Sequence, residues 1–300
     1  MSSIPISELL LVIYVLVDDW YQKDGQRLLQ GKPGAKPVFT DSEMISLMLA
    51  QDFIPYPGEN QYLGYMRANY LDLFPKLLSQ GQYNRRARNL RLLVEMMRRK
   101  WLEELGLLSE QNYLLDTKPV PVMGYKRSKK RSDFAGSAGY GYCASRNMKY
   151  FGYKLVALST FEGIPLVYEL VPANTDERLA AESILYWLRG CHVFGDKGFI
   201  GAAWQEKIYR HTHTQVYTTK RANQKQQNTA AFDKWLNSAR ERIEGVFNEL
   251  QNTGRNLERL LAKTVIGLAT RVIAKMTSHL LKCILRKFHG IDVQTFTKIV

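Results

Sequence analysis

Three acidic residues stand where a rigid backbone would present them. Asp116 ends the run Asn112-Tyr113-Leu114-Leu115, whose tyrosine and leucines favour a strand, and Pro119 and Pro121 exclude a helix just beyond it. The run reads as a short buried strand that delivers Asp116 and continues as an extended segment on a sheet edge or rim. A carboxylate in such a place is costly unless something pairs with it. Asp196 follows the apolar run Cys191–Gly195 and precedes Gly198 and Gly201, so it stands at a strand end before a tight turn. Glu244 lies inside a long helical pattern over Ala230–Asn252.

Asp116 and Asp196 are 80 residues apart, and Asp196 and Glu244 are 48 apart, so the three converge only through tertiary structure. Two such charges at ~4 Å repel by about 4 kcal/mol at an effective dielectric near 20. Either one keeps a proton or a cation neutralises them. All-oxygen ligands suit magnesium or manganese rather than zinc. Two such ions ~4 Å apart activate a water and stabilise the leaving oxygen of a phosphodiester. Spacing alone does not single out this triple among 28 acidic residues. Structural roles stay open for two of them: Asp196 as a turn cap, and Glu244 as a surface acid paired with Arg240 four residues earlier.

Composition bounds the partner. The chain has 300 residues and is 45% hydrophobic, enough for a sizeable core and for two domains, or one with helical additions. With 42 Lys+Arg against 28 Asp+Glu, the formal net charge is +14 and the pI near 9.6. A polyanion is the expected partner, nucleic acid ahead of a membrane surface, with a merely basic soluble protein as the alternative. Cys143, Cys191 and Cys283 are far apart and form no Cys-x-x-Cys pair, which argues against a zinc ribbon or disulfide framework and fits a reducing cytoplasm. Leu9–Val17 is apolar but shorter than the ~20 residues a bilayer requires, and no basic region precedes it. It reads as part of a first buried helix, with no membrane involved.

The elements that must position the acids follow from pattern. Residues 1–110 read as all helix: Ile6–Tyr21, a helix capped by the box Thr40-Asp41-Ser42-Glu43 with Ile45, Met48, Leu49 and Phe53 on one face, Glu59–Tyr70, and Tyr83–Leu105. The last has an apolar stripe of Leu90, Val94, Met97 and Trp101, and elsewhere carries Arg85, Arg86, Arg88, Arg91, Arg98, Arg99 and Lys100. A solvated surface and a DNA-contacting one are equally good readings of those charges. Residues 111–255 change period. A mobile basic loop over 124–150 carries Lys126, Arg127, Lys129, Lys130 and Arg131, with Tyr140, Tyr142 and Tyr150 as structural or base-stacking residues. Phe151–Thr160 and Ile164–Val171 form a hairpin. A helix to about Leu188, the Cys191–Gly195 strand, a helix over Ala202–Tyr209, a strand over Gln215–Thr219 and the Ala230–Asn252 helix follow. This order predicts an α/β mixed sheet flanked by helices. Residues 256–300 form an amphipathic helical extension, with Leu257, Leu260, Leu261, Val265, Leu268, Val272 and Met276 packing against the core. His211 and His213 read as surface residues.

Several stretches carry a resemblance. Thr40-Asp41-Ser42-Glu43, Asn84-Arg85-Arg86, Gly141-Tyr142-Cys143-Ala144-Ser145, Tyr150-Phe151-Gly152-Tyr153-Lys154-Leu155, Gly195-Asp196-Lys197-Gly198-Phe199-Ile200 and Arg242-Ile243-Glu244 resemble the DDE transposases of bacterial insertion sequences, most of all the family numbered 982. The resemblance implies a ribonuclease-H-like catalytic core over 111–255 behind a DNA-binding helical domain. It implies that Asp116, Asp196 and Glu244 are the metal-binding catalytic triad for two Mg2+ or Mn2+ ions. Cleavage of double-stranded DNA at inverted-repeat ends and joining of the 3′-hydroxyls to target DNA would follow, by a homo-oligomer in the bacterial cytoplasm. On charge, the expected DNA contacts are Arg85, Arg86, the 126–131 cluster of Lys126, Arg127, Lys129, Lys130 and Arg131, together with Lys197 and Arg240. A Tyr-Arg-Glu-Lys signature common in related enzymes is incomplete here: Arg240 is present, but Asn237 and Gln251 replace its Tyr and Lys, and Phe199 stands where tyrosine is common. Two other functions remain open on sequence: a metal nuclease that does not join strands, and an inactive transposase-derived DNA-binding protein.

Overall fold

The computed structural model describes residues 4–29, 37–126, 130–144, 147–220, 222–224 and 227–293. The chain forms two compact units. One holds residues up to Trp101 together with those from Leu250 onward, and the other holds Leu102–Glu249.

The first unit is helical: α1 (Ile6–Trp20), α2 (Asp41–Ala50), α3 (Glu59–Asn69), most of α4 (Gln80–Glu104) and α8 (Val265–His289). The expected capping box starts α2: the Glu43 N–H donates to Thr40 Oγ1 at 3.1 Å, and the Thr40 N–H donates to Glu43 Oε2 at 2.6 Å. The apolar face read from sequence is too narrow, because α2 is buried almost all round, including Met44, Leu47 and Ser46. Such burial occurs when a helix is wrapped by others, and α1 and α8 both pack on it. The α4 stripe of Leu90, Val94, Met97 and Trp101 is buried as patterned. In the C-terminal segment, Leu261 departs from expectation: it is exposed, at φ +55°, in the turn before α8.

Charged residues fasten the C-terminal segment to the N-terminal helices. Buried Asp52 accepts from Arg255 Nε at 2.9 Å and lies 3.6 Å from Lys275 Nζ. At the start of α3, Glu59 pairs with Arg271 at 2.5 Å and accepts from Gln80 and Asn84. Burial alone would raise both carboxyls, yet the facing cations hold both below their ordinary range.

The second unit is built on one mixed sheet. The strands are β1 (Asn112–Met123), β2 (Gly139–Cys143), β3 (Met148–Ser159), β4 (Pro165–Pro172), β5 (His192–Gly195) and β6 (Gln215–Thr218). β3 runs antiparallel to β1, β2 and β4, while β1, β5 and β6 are mutually parallel, in the order β3-β1-β5-β6. Helices α5 (Glu177–Leu185), α6 (Ala202–Thr212) and α7 (Ala230–Gln251) flank it. This is the ribonuclease-H-like mixed sheet the resemblance implies. β5 covers β1 only along Asn112–Leu115, so beyond Asp116 the strand pairs with β3 alone. That leaves one open edge for the missing N–H groups of Pro119 and Pro121, which face the same side two residues apart.

β2 corrects the reading of residues 124–150 as a single loop. Its sequence, Gly-Tyr-Gly-Tyr-Cys, alternates at strand period, but its glycines suggest a turn. The structure gives them a packing reason. A Cβ at Gly139 would collide with Asn174, and one at Gly141 would meet Tyr150 and Ala173 at 2.8 Å or less.

Two stability measurements follow from the buried ion cluster. Asp52→Asn leaves Arg255 and Lys275 uncompensated and should destabilise the fold by about 3–5 kcal/mol in chemical denaturation. Burial lowers the Lys275 pKa to about 8 despite the pull of Asp52. Between about pH 8 and pH 10 the unfolded chain therefore binds a proton there that the folded one does not. Its contribution makes stability rise with pH across that window, and Lys275→Met should flatten the slope.

Candidate active site

Asp116 and Asp196 are brought together by strand register. Leu115 of β1 pairs with Gly195 of β5 in a parallel ladder, so the next residue on each strand is an aspartate. Adjacent strands lie ~4.8 Å apart, which places the two side by side where β5 ends. One oxygen of each is held by backbone. Asp116 Oδ1 accepts the Thr117 N–H at 2.8 Å, and Asp196 Oδ1 accepts the Gly198 N–H at 2.7 Å as the cap of a short 3-10 turn over Lys197–Phe199. Turn-capping, one structural role open for Asp196, is thus real and leaves its second oxygen available.

Glu244 arrives on α7. That helix is fastened to the β3–β4 turn: Arg242 Nη1 donates to the Phe161 carbonyl at 2.8 Å, and Trp235 stacks on Phe161 with ring centres 5.9 Å apart. Trp235 also meets Phe194 of β5 edge-on at 5.0 Å. Pinned at two points, α7 turns Glu244 toward the strand ends. Glu244 is exposed and lies 3.7 Å from Arg240 Nη2. The surface ion pair read from sequence therefore forms, and Glu244 also lines the cavity.

Asp116, Asp196 and Glu244 border one open cavity of about 550 Å³, together with Glu177, Lys154 and Arg240. The Asp116 carboxyl is pushed up to about 7. Loss of water is the main cause. The Thr117 N–H and Arg240 oppose the shift, while Asp196 and Glu244 reinforce it. Arg240 Nε is buried and finds no acceptor among the described residues. The donors are all oxygens, which fits magnesium or manganese. Among the described residues no three acidic, histidine or cysteine side chains close on one point, so the cavity offers carboxylates along its wall rather than a finished cage.

Glu177 was not legible in the sequence. It opens α5, directly after the N-cap Asp176, where an acidic residue ordinarily serves the helix dipole. The fold turns it inward instead. Thr117 Oγ1 donates to it at 3.3 Å, Lys154 Nζ lies 4.0 Å away, and desolvation followed by Asp196 raises its pKa.

The basic residues divide by environment. Arg85, Lys126, Lys130, Arg131 and Lys197 are exposed. Arg86 is committed to Asp41 at 2.5 Å and to the Phe39 carbonyl, and buried Arg98 to Glu95 at 2.8 Å. Arg127 and Lys129 lie outside the described residues. Tyr140 and Tyr142 are exposed on β2, with Tyr142 at the cavity, whereas Tyr150 is buried. His211 and His213 are exposed, as expected. No described helix is long and apolar enough to cross a membrane.

A comparison with protein families matches residues 109–259 to the transposase DDE domain. No curated protein and no solved structure matches the chain.

The packing around Gly198 can be tested. A Cβ there would overlap the Glu177 carboxylate and lie 2.9 Å from Asp196 Oδ1. Gly198→Ala should destabilise the fold by about 1–3 kcal/mol. In the Glu177→Ala background the same change should cost clearly less, because the two share one space. Equal costs in urea titrations would show that Glu177 does not occupy it.

Proposed function

The chain belongs to the DDE-domain transposases, and from that membership we propose that it cleaves DNA at the inverted-repeat ends of an insertion sequence and joins the freed 3′-hydroxyls to target DNA. Membership implies DNA binding and dependence on a divalent metal. The observation that carries the finer reading is the convergence of Asp116, Asp196 and Glu244, from two strand ends and a helix, on one cavity. We assign all three as catalytic residues and metal ligands. Magnesium or manganese, as a pair of ions, would supply an activated water and stabilisation of the leaving oxygen.

The chain's own groups do the rest. Asp116 and Asp196, each with one oxygen tied to backbone, present the other in a fixed direction. Arg240, which lines the cavity, binds a phosphate oxygen through its guanidinium and draws the DNA backbone against the carboxylates. Lys126, Lys130, Arg131 and Lys197 add phosphate contacts on the same unit, and Arg85 does so on the helical one. Arg86 holds the helical unit together and supports its neighbour. Two DNA ends must be joined, so a homo-oligomer is the working form. The finer assignment to the family numbered 982 rests on the stretches that resemble it, and three widely separated cysteines with no Cys-x-x-Cys pair suit a reducing bacterial cytoplasm.

Asp116→Asn, Asp196→Asn and Glu244→Gln test the triad, with circular dichroism as the fold check. Each should bind a terminal-repeat duplex as tightly as wild type or slightly tighter, since a charge facing phosphates is gone. Cleavage should fall by more than the roughly 10–100-fold that loss of a supporting partner causes. Double variants should look no worse than single ones. Chelator should abolish cutting, and either ion should restore it. A folded variant that still cuts at full rate removes its residue from the triad. Cutting without strand transfer from a pre-cleaved end would leave a nuclease, and binding without cutting in any divalent ion a DNA-binding protein.

A second measurement addresses the surface. Arg85→Gln should reduce the log–log salt dependence of DNA affinity by about 0.9 with stability unchanged. Arg86→Gln should instead lower stability, because it unties Asp41.

A further inference from the structure

The cavity has a fourth carboxylate, and we propose that Glu177 is a further ligand for the divalent ion held beside Asp196. The inference rests on the metal-dependent reading above and deepens it. Three geometric observations carry it. First, Glu177 lines the same cavity as Asp116, Asp196 and Glu244. Second, a Cβ at Gly198 would overlap Glu177 Oε2 and lie 2.9 Å from Asp196 Oδ1, so the two carboxylates flank one point and are near neighbours. Third, Thr117, the residue after Asp116, donates its hydroxyl to Glu177 Oε1 at 3.3 Å, which couples the side chain to the strand that presents the first aspartate.

Two carboxylates this close favour a shared positive charge unless one of them keeps a proton. Lys154 supplies part of it from 4.0 Å, but its ammonium also donates to the Thr175 carbonyl at 2.9 Å and approaches only one side of Glu177. That side is Oε1, which leaves Oε2 toward Gly198 and Asp196. An oxygen held there by a helix start on one side and a strand end on the other suits a cation that prefers several oxygen ligands and fixed geometry. A surface acid completing a helix cap would explain none of this, since Asp176 already caps α5 by accepting from the Arg178 and Leu179 N–H groups.

The test compares full-length wild type with Glu177→Gln, using manganese alone as the probe. Affinity is read by calorimetric titration, and ion-induced stabilisation by thermal melting with and without manganese. The variant should bind manganese at least tenfold more weakly and lose most of the ion-dependent rise in Tm. Its Tm without the ion should not fall, because a charge in a crowded site has been removed. A structural glutamate would give the opposite pattern, a lower ion-free Tm with an unchanged ion-induced rise, and that result overturns the inference. If wild type binds manganese and the variant binds it equally well, Glu177 is not a ligand and the triad reading stands. If wild type binds none, the metal reading falls with it. Should Glu177→Gln not fold, Glu177→Asp keeps the charge and withdraws it by one methylene. Weaker manganese binding by that variant supports the ligand role, and unchanged binding overturns it.

Discussion

Everything in the α/β unit answers to the cost of holding like charges together. Carboxylates a few ångströms apart repel, and removing water from them makes each harder to ionise. Only a stiff frame keeps them there. Asp116 is carried by a strand paired on both sides up to Leu115, Asp196 by the strand registered with it, and Glu244 by a helix clamped through Arg242 and Trp235. Trp235 of that helix packs on Phe194 of β5, so the anchors of the three acids support one another. The frame holds the acids in place, and Arg240 and Lys154 supply part of the compensating positive charge.

The helical unit shows the contrasting solution. Asp52 and Glu59 are also buried, yet each faces an arginine, and both are held below their ordinary range. Asp116 and Glu177 are raised, by loss of water first and by neighbouring carboxylates after it. The same residue types thus divide into acids whose facing cations outweigh burial and acids for which burial and like charges prevail. Perturbation by desolvation and a like charge inside a cleft is the pattern expected of working groups. The arginines divide in the same way. Arg255, Arg271 and Arg86 spend their donors inside the protein, while Arg240 keeps a buried Nε that no described residue accepts.

Much of this was readable before any coordinates. The capping box, the α4 stripe, the β3–β4 hairpin and the strand ends at Asp116 and Asp196 announce themselves because period and turn chemistry are local properties. β2 did not, because Gly139 and Gly141 are demanded by close neighbours from distant sequence, and a glycine kept for packing looks like a glycine kept for turning. Glu177 was hidden for a similar reason: an acid in the first turn of a helix has an ordinary local use. Arg86 and Arg98 looked like surface charge until their partners were visible. The convergence of the three acids needed both the resemblance and the register, since 28 acidic residues admit many triples.

The central claim is that Asp116, Asp196 and Glu244 share divalent ions at one cavity. Anomalous diffraction from crystals of the full chain grown with manganese and a terminal-repeat duplex addresses it directly. The account predicts manganese peaks in the cavity between the two strand ends and α7, within about 2.5 Å of carboxylate oxygens from Asp116 and Asp196. Ordered manganese bound elsewhere, with the duplex engaged and these carboxylates ligating nothing, would contradict it.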